Sequence, residues 1–335
     1  YDALITEEGR NVNANWDEKW EVQARIDETG WSAEIRIPLG SIRFSASDGA
    51  MVFGADFERI IRRKNESSYW NNFSRNFAFE QVSQSGHLYG MADIESALRL
   101  RIKPYVGTRI LTRGSAARDT SVLGDIGLED LKYAVTSGLT LDLTLNTDFA
   151  QTEVDDQIIN FDRFPVFFPE KREFFLEGRG IFQFARGGVG GRRPGGSGGV
   201  FGGVNTPTLF YSRRIGLQRG RVVPILGGGR VTGKVGPFDV GALSIQTDDE
   251  ARSSAESTNF TVLRLKRDIL RRSSIGGIFT NRSVSTRGHG SSQTYGVDST
   301  FAFYDNLSML GYLARTETPG LIGKDSSYHI QLYTY

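Results

Sequence analysis

Two kinds of hydrophobic pattern divide the chain. From Leu98 onward, apolar and polar residues alternate over long runs: Leu98 to Leu111, Gly124 to Val135, Leu139 to Phe149, Val222 to Val235, Phe238 to Thr247, Thr258 to Lys266, Ser274 to Ser283, Thr294 to Tyr304, Ser308 to Arg315 and Ser326 to Tyr335. Leu139 to Phe149 is the clearest. Leu139, Leu141, Leu143, Leu145, Thr147 and Phe149 share one face, and Thr140, Asp142, Thr144, Asn146 and Asp148 share the other. A period of two over this length predicts strands with one apolar and one strongly polar face. Between the third and fourth runs the pattern breaks. Asn160 to Phe184 (NFDRFPVFFPEKREFFLEGRGIFQF) crowds phenylalanines around Glu170-Lys171-Arg172-Glu173. Pro165 and Pro169 oppose a helix, and FPVFFP and EFFLEG do not alternate as a strand would.

The connectors sort by length. Thr136 to Gly138, Gly236-Pro237, Arg267 to Arg272 and Asp305 to Leu307 are short, and they would all lie on one side. Gly114 to Leu123, Ala150 to Arg221, Asp248 to Ser257, Val284 to Gln293 and Thr316 to Asp325 are long and would lie on the other. That asymmetry is the pattern of outer-membrane barrels, whose strands need roughly 9–11 residues to cross the bilayer. The count keeps its parity only if Leu209 to Leu217 belongs to a loop and does not span. A soluble sandwich would have shorter strands and a solenoid would show a fixed repeat, which is missing here.

The first hundred residues read differently. Trp20 to Ile26 and Trp31 to Ile37 alternate around Asp27-Glu28-Thr29-Gly30, a hairpin that Pro38 ends. A strand over Met51 to Ile60, the basic run Arg59, Arg62, Arg63 and Lys64, and a closing strand from Gly86 to Ile94 follow. All the tryptophans, Trp16, Trp20, Trp31 and Trp70, fall in this part, whereas glycine becomes dense after Gly107. The boundary is therefore set at 95/96: the later part of a β-sandwich over 1–95, then a barrel over 96–335 with a large aromatic and Gly-rich loop at 150–221. The expected fold class is all-β, a sandwich fragment followed by an antiparallel transmembrane β-barrel. The chain begins at Tyr1 without Met and ends inside a strand-like run, so it is read as part of a longer one.

Composition excludes several classes. A formal net charge of +1 with 24% charged residues suggests no nucleic-acid partner, and the lack of cysteine removes disulfides, thiolate metal sites and a Cys nucleophile. No run is apolar enough for a transmembrane helix. GGRVTGK (Gly228 to Lys234) has P-loop spacing, but Val235 stands where Ser or Thr should hold Mg²⁺, and the motif sits inside a strand pattern. His87, His289 and His329 are isolated, and no G-x-S-x-G elbow occurs.

Particular motifs point to families. WEVQARIDETGWSAEIRIPLGSIRF followed by FGADFERIIRRKNESSYW resembles the C-terminal part of carbohydrate-binding module family 9 domains, in the divergent form fused to bacterial outer-membrane barrels. TDFAQTEVDDQIINFDRFPVFFPEKREFFLEG resembles the signature of the barrel family defined by domain of unknown function 5916. The resemblances imply a sandwich, an outer-membrane barrel and a lipid bilayer as partner, and they carry no reaction.

Candidate sites follow from chemistry. Trp16 and Trp70, with Arg62 or Glu66 bonding hydroxyls, are candidates for stacking on a sugar, while Trp31 and Trp20 are expected in a sandwich core. Phe164, Phe167, Phe168, Glu170, Lys171, Arg172, Phe174 and Phe175 are candidates for a plug. In that reading the phenylalanines wedge into the barrel mouth, and Asp142, Thr144, Asn146 and Arg109 on the polar face set selectivity. Glu170 and Glu173 are the candidate catalytic pair for glycoside hydrolysis, although Lys171 and Arg172 between them favour ion pairing. Asp148, Glu153, Asp155 and Asp156 could supply oxygens to Ca²⁺; without EF-hand spacing they read as a solvated acidic loop, and no cofactor is expected. The favoured function is a non-enzymatic outer-membrane barrel with a periplasmic carbohydrate-binding-like domain, serving binding or passage of glycans or other nutrients, or envelope structure. A glycan hydrolase, or a receptor or assembly factor docking through the Phe-rich loop, are the alternatives.

Overall fold

Among the described residues almost all regular structure is β, with a single one-turn α-helix and a few 3₁₀ turns. The computed structural model describes residues 2–6, 11–13, 18–42, 51–73, 77–92, 100–113, 119–136, 138–147, 170, 172–176, 178–185, 207–270, 273–287, 289–304, 307–323 and 325–334. The first region carries β1 (Leu4–Thr6), β2 (Asn11–Asn13), β3 (Glu21–Asp27), β4 (Gly30–Arg36), β5 (Met51–Ala55), β6 (Glu58–Ile61), β7 (Glu66–Tyr69) and β8 (Gly86–Met91). They form antiparallel pairs, β1–β2, β3–β4, β5–β8 and β6–β7. At the β3–β4 turn the Asp27 carboxylate accepts from the Thr29 amide (2.8 Å), the Thr29 hydroxyl (2.6 Å) and the Gly30 amide (3.0 Å).

Two expectations for this region are corrected. The strand over Met51 to Ile60 is two strands, because Asp56 Oδ1 accepts from the amides of Phe57 and Asn71 and turns the chain between β5 and β6. Trp31 is not in a core: every residue of β3 and β4 is exposed, with Trp31 at 64%, since no second layer covers this hairpin among the described residues.

The alternating runs become one antiparallel sheet of ten strands. Its members are β9 (Leu100–Arg113), β10 (Asp119–Thr136), β11 (Leu139–Leu145), β14 (Ile225–Val235), β15 (Phe238–Thr247), β16 (Thr258–Leu270), β17 (Ser273–Arg282), β18 (Ser292–Phe303), β19 (Leu307–Glu317) and β20 (Ser326–Thr334). Each pairs with its neighbour in sequence except that β11 pairs with β14. Between them come helix α1 (Glu173–Leu176) and the small hairpin β12 (Leu217–Gln218) and β13 (Arg221–Val222). Leu209 to Leu217 contains only a 3₁₀ turn and the first residue of β12, as the parity of the turns requires. β9 and β20 are the sheet edges and are not paired with each other among the described residues.

Boundaries shift where chemistry intervenes. The third run stops at Leu145 because Asn146 turns left-handed (φ 53°), donating its amide to Leu226 O and its side chain to Ile126 O. The fourth begins at Ile225, after Pro224, which has no N–H for the ladder. The connection after β9 is shorter than expected, since β10 already begins at Asp119.

The sheet has two unlike faces. Leu143, Leu145, Leu263, Leu265, Val297, Leu313 and Ile330 are exposed on one. On the other, pairing lines up Arg101, Lys132, Asp142 and Arg230 across β9, β10, β11 and β14. A neighbouring row runs Gly241, Arg264, Ile278, Gly296 and Ala314 across β15 to β19. This second face is where the core sits: Leu243, Ile245, Val262, Ile278, Tyr312 and Ala314 are buried there together with phenylalanines from the β11–β14 connection.

The β14–β15 turn depends on Gly236, whose φ of 57° is left-handed. Gly236→Val should cost about 1–2 kcal/mol, the strain of that region for a residue with a side chain, and should lower the urea midpoint without changing the denaturant slope.

Candidate functional site

Two limbs of the β11–β14 connection, 170–185 and 207–216, meet on the core-bearing face of the sheet, called the inner face below. In the first, α1 is a single turn closed by Phe175 and Leu176 amides on Arg172 O (3.0 and 3.1 Å). Gly178 (φ 64°) then passes Thr232 so closely that a Cβ would lie 3.0 Å from its hydroxyl. A 3₁₀ turn, Arg179–Phe182, follows. These short turns orient Phe174, Phe175, Phe182 and Phe184 toward the sheet, where all are buried with Ile215 of the second limb.

Glu170 and Arg172 tie the limbs together. Arg172 donates Nε to Glu170 Oε1 and Nη2 to Oε2, both at 2.8 Å, and its amide also reaches Oε1 (3.1 Å). The Ser212 hydroxyl donates to Glu170 Oε2 at 2.7 Å. Arg172 further donates to the carbonyls of Ile215 (2.8 Å) and Ser212 (2.9 Å), and lies 4.2 Å from the Phe175 ring centroid. Burial pushes the Glu170 carboxyl up, but the hydrogen bond and charge of Arg172, helped by Ser212, outweigh it and hold the group below its ordinary value. The Glu170 carboxylate is thus fully buried among the donors of Arg172 and Ser212.

The wall meets the limbs through two further pairs. Arg230 binds Asp142 Oδ2 through Nε (3.0 Å) and Nη2 (2.6 Å), donates Nη1 to the Phe174 carbonyl, and lies 4.9 Å from the Phe174 ring. Arg264 grips Asp298 with two bonds (2.6 and 2.8 Å), and Asp298 also accepts the Ala185 amide at 2.9 Å. Two glycines make room for the rings. At Gly241 a Cβ would come within 2.9 Å of the Phe182 ring, and at Gly296 within 2.6 Å of the Phe184 ring. Phe184 also packs edge-on against Tyr312 at 5.7 Å.

Other expected residues fall elsewhere. Asp142 and Thr144, expected to set selectivity along an open face, are instead fully buried: Asp142 neutralises Arg230, and Thr144 donates to Leu128 O and shares a bond with Thr147. Asn146 serves the turn after β11. Trp16, Phe164, Phe167, Phe168, Lys171, Asp148, Glu153, Asp155 and Asp156 lie outside the described residues, as do the side chains of Glu173 and Arg109. No group of three His, Asp or Glu suited to a metal occurs among the described residues.

Trp70 is 63% exposed, edge-on to Phe57 at 5.8 Å, and its ring lies over Gly86. Arg62 and Glu66 stand at the far tip of the β6–β7 hairpin, about 13 Å of strand away. They do not converge with Trp70. Arg59 lies over Trp31 instead, 5.9 Å from the ring centroid. Pattern reading missed this pair and the roles of Ser212, Arg230, Arg264 and Asp298. For the wall residues the signal was present: charges of opposite sign on one face of strands otherwise facing a core.

Residues 96–193 match the family model described as Domain of unknown function (DUF5916), which takes in β9, β10, β11 and the first limb. The first 95 residues lie outside that match. No curated protein and no solved structure matches the chain.

Glu170→Gln leaves Arg172 buried without its counter-charge, and urea unfolding should show a loss of about 3–5 kcal/mol. Because the folded carboxyl titrates below its unfolded value, near 4.5, its contribution is complete above that pH and disappears as pH falls through the lowered value. Acid titration of wild type and Glu170→Gln should therefore converge in stability at low pH. Gly296→Val should unseat Phe184 and cost about 1–3 kcal/mol by overpacking, with no such loss on adding a side chain at Gly277, where a Cβ would meet nothing closer than 3.7 Å.

Proposed function

We propose that this chain is an outer-membrane β-barrel protein whose interior is closed by its own aromatic connection, and that it acts in binding or controlled passage of a solute without catalysing a reaction. One observation carries the reading: the ten-stranded sheet exposes a band of leucines, isoleucines and valines on one face and buries arginine–aspartate pairs among apolar side chains on the other. Water would penalise the first face, and hydrocarbon suits it. Every strand of the sheet except β11 has the nine or more residues that a crossing needs, and a membrane-embedded sheet has to close its edges, so β9 and β20 would be joined directly or through further strands.

The same reading orients the molecule. β9 begins on the side of the short turns, such as Gly236-Pro237, which is the periplasmic side in such barrels. The first domain would then be periplasmic, and the long connections would face outward. Exposed Trp31 and Trp70 support a glycan-binding role for that domain, since an open indole face is what stacks on a pyranose.

In planar bilayers the intact chain should be nearly silent, and deletion of Phe164 to Phe184 should produce stable conductance steps. Equal conductance with and without the segment would refute the plug. Because every tryptophan lies before residue 71, intrinsic fluorescence isolates the first domain. Titration with an oligosaccharide panel should shift its emission, and Trp70→Ala should abolish the shift.

A further inference from the structure

Arg230, Arg264 and Arg282 project from the same face of the sheet, and they are not treated alike. Arg230 is neutralised by Asp142 and Arg264 by Asp298, each through two hydrogen bonds. Arg282, at the long-loop end of β17, has no carboxylate among the described residues. It is half-buried, on the same side of its strand as Ile278, and opposite Phe260 and Ser292. Its guanidinium lies 5.2 Å from the Phe260 ring centroid, and Nη2 donates to Gln218 Oε1 at 3.1 Å. The Nε atom is buried without a partner.

The surroundings add positive charge. Burial is the larger cost to the Arg282 charge, and the like charge of Arg214, an exposed residue of the second limb, adds to it. Among the described residues no carboxylate stands within ion-pairing distance of either one. Residues 207–224 contain Arg213, Arg214, Arg219 and Arg221 and no acid. Gln218 is held in one orientation, because its amide nitrogen donates to the carbonyls of Ser253 (3.3 Å) and Ser254 (3.1 Å). Its oxygen therefore faces Arg282, and the amide has no donor left to give elsewhere.

An uncompensated guanidinium in a partly desolvated place, repelled by a second one, is costly unless an anion completes it. We infer that Arg282 and Arg214, aligned by Gln218 and Phe260, form a binding site for a small oxyanion, a phosphate or carboxylate group carried by a solute. Guanidinium forks match these planar or tetrahedral oxyanions by paired N–H···O bonds. The inward direction of Arg282 selects a solute over a lipid headgroup, and the location above the plug makes it a first point of capture. The capture role rests on the proposed barrel reading; oxyanion binding by these residues does not.

The test uses the full chain in detergent micelles, titrated separately with sodium phosphate and sodium acetate at constant ionic strength balanced with chloride, and followed by thermal unfolding and calorimetry. Saturable binding of at least one oxyanion is expected, with phosphate the stronger. Arg282→Gln should weaken it about ten- to hundred-fold, the loss of a charge-assisted hydrogen bond, and Arg214→Gln should weaken it less. Arg219→Gln, exposed in the β12–β13 turn, should leave it unchanged. If Arg282→Gln does not fold, Arg214→Gln carries the test alone. Oxyanions no better than chloride, or saturable binding that survives both substitutions, would overturn the site.

Discussion

Asp142 and Arg230 face each other across β11 and β14, and the filled interior depends on that contact. A guanidinium on the inner face must be neutralised before any aromatic ring can cover it. Once Asp142 supplies the charge, Arg230 still has one donor for the Phe174 carbonyl and a flat surface for the Phe174 ring. Arg264, Asp298, Phe184 and the Ala185 amide repeat the device farther round the sheet. In both cases the ion pair is a mount for the chain that packs on it. Breaking such a pair is far more costly than its net contribution to stability, because the surviving charge cannot reach water.

The limbs themselves are held by a different logic. Glu170 and Arg172 are two residues apart, so their pairing needs no tertiary structure, but the unused lone pair and donors are taken by Ser212 and Ile215, some forty residues later. A local ion pair thus becomes a clasp across a long excursion of chain. Closing a loop of that length costs entropy that rises slowly with its size, and the clasp with its phenylalanines offsets it by burying apolar rings against Ile245, Val262 and Ile278.

Much of the architecture was legible in the residues. Each of the ten alternating runs is a strand of the large sheet, with Phe238–Thr247 matching at both ends. A two-residue period states the element and its two faces together, and short turns such as Gly236-Pro237 state the neighbour. The first region was less readable: Asp56 broke a continuous pattern with one side-chain acceptor, and Trp31 alternated like a core residue in a hairpin that no layer covers among the described residues. Alternation records which residues share a face, not what covers that face.

The interior shows where such reading stops. Alternation placed Asp142 and Thr144 on a polar face, and a polar face in isolation looks open to water. Burial arose because a segment with no period of its own lies upon it, seated by gaps at Gly241 and Gly296 that are defined only when five strands are side by side. Local sequence therefore carried strand identity, facing and order, which arise from short-range backbone geometry. The partners of Glu170, Arg230 and Arg264, and the lack of a carboxylate beside Arg282 among the described residues, came from folding, because charge balance in a desolvated space is a property of everything that surrounds it.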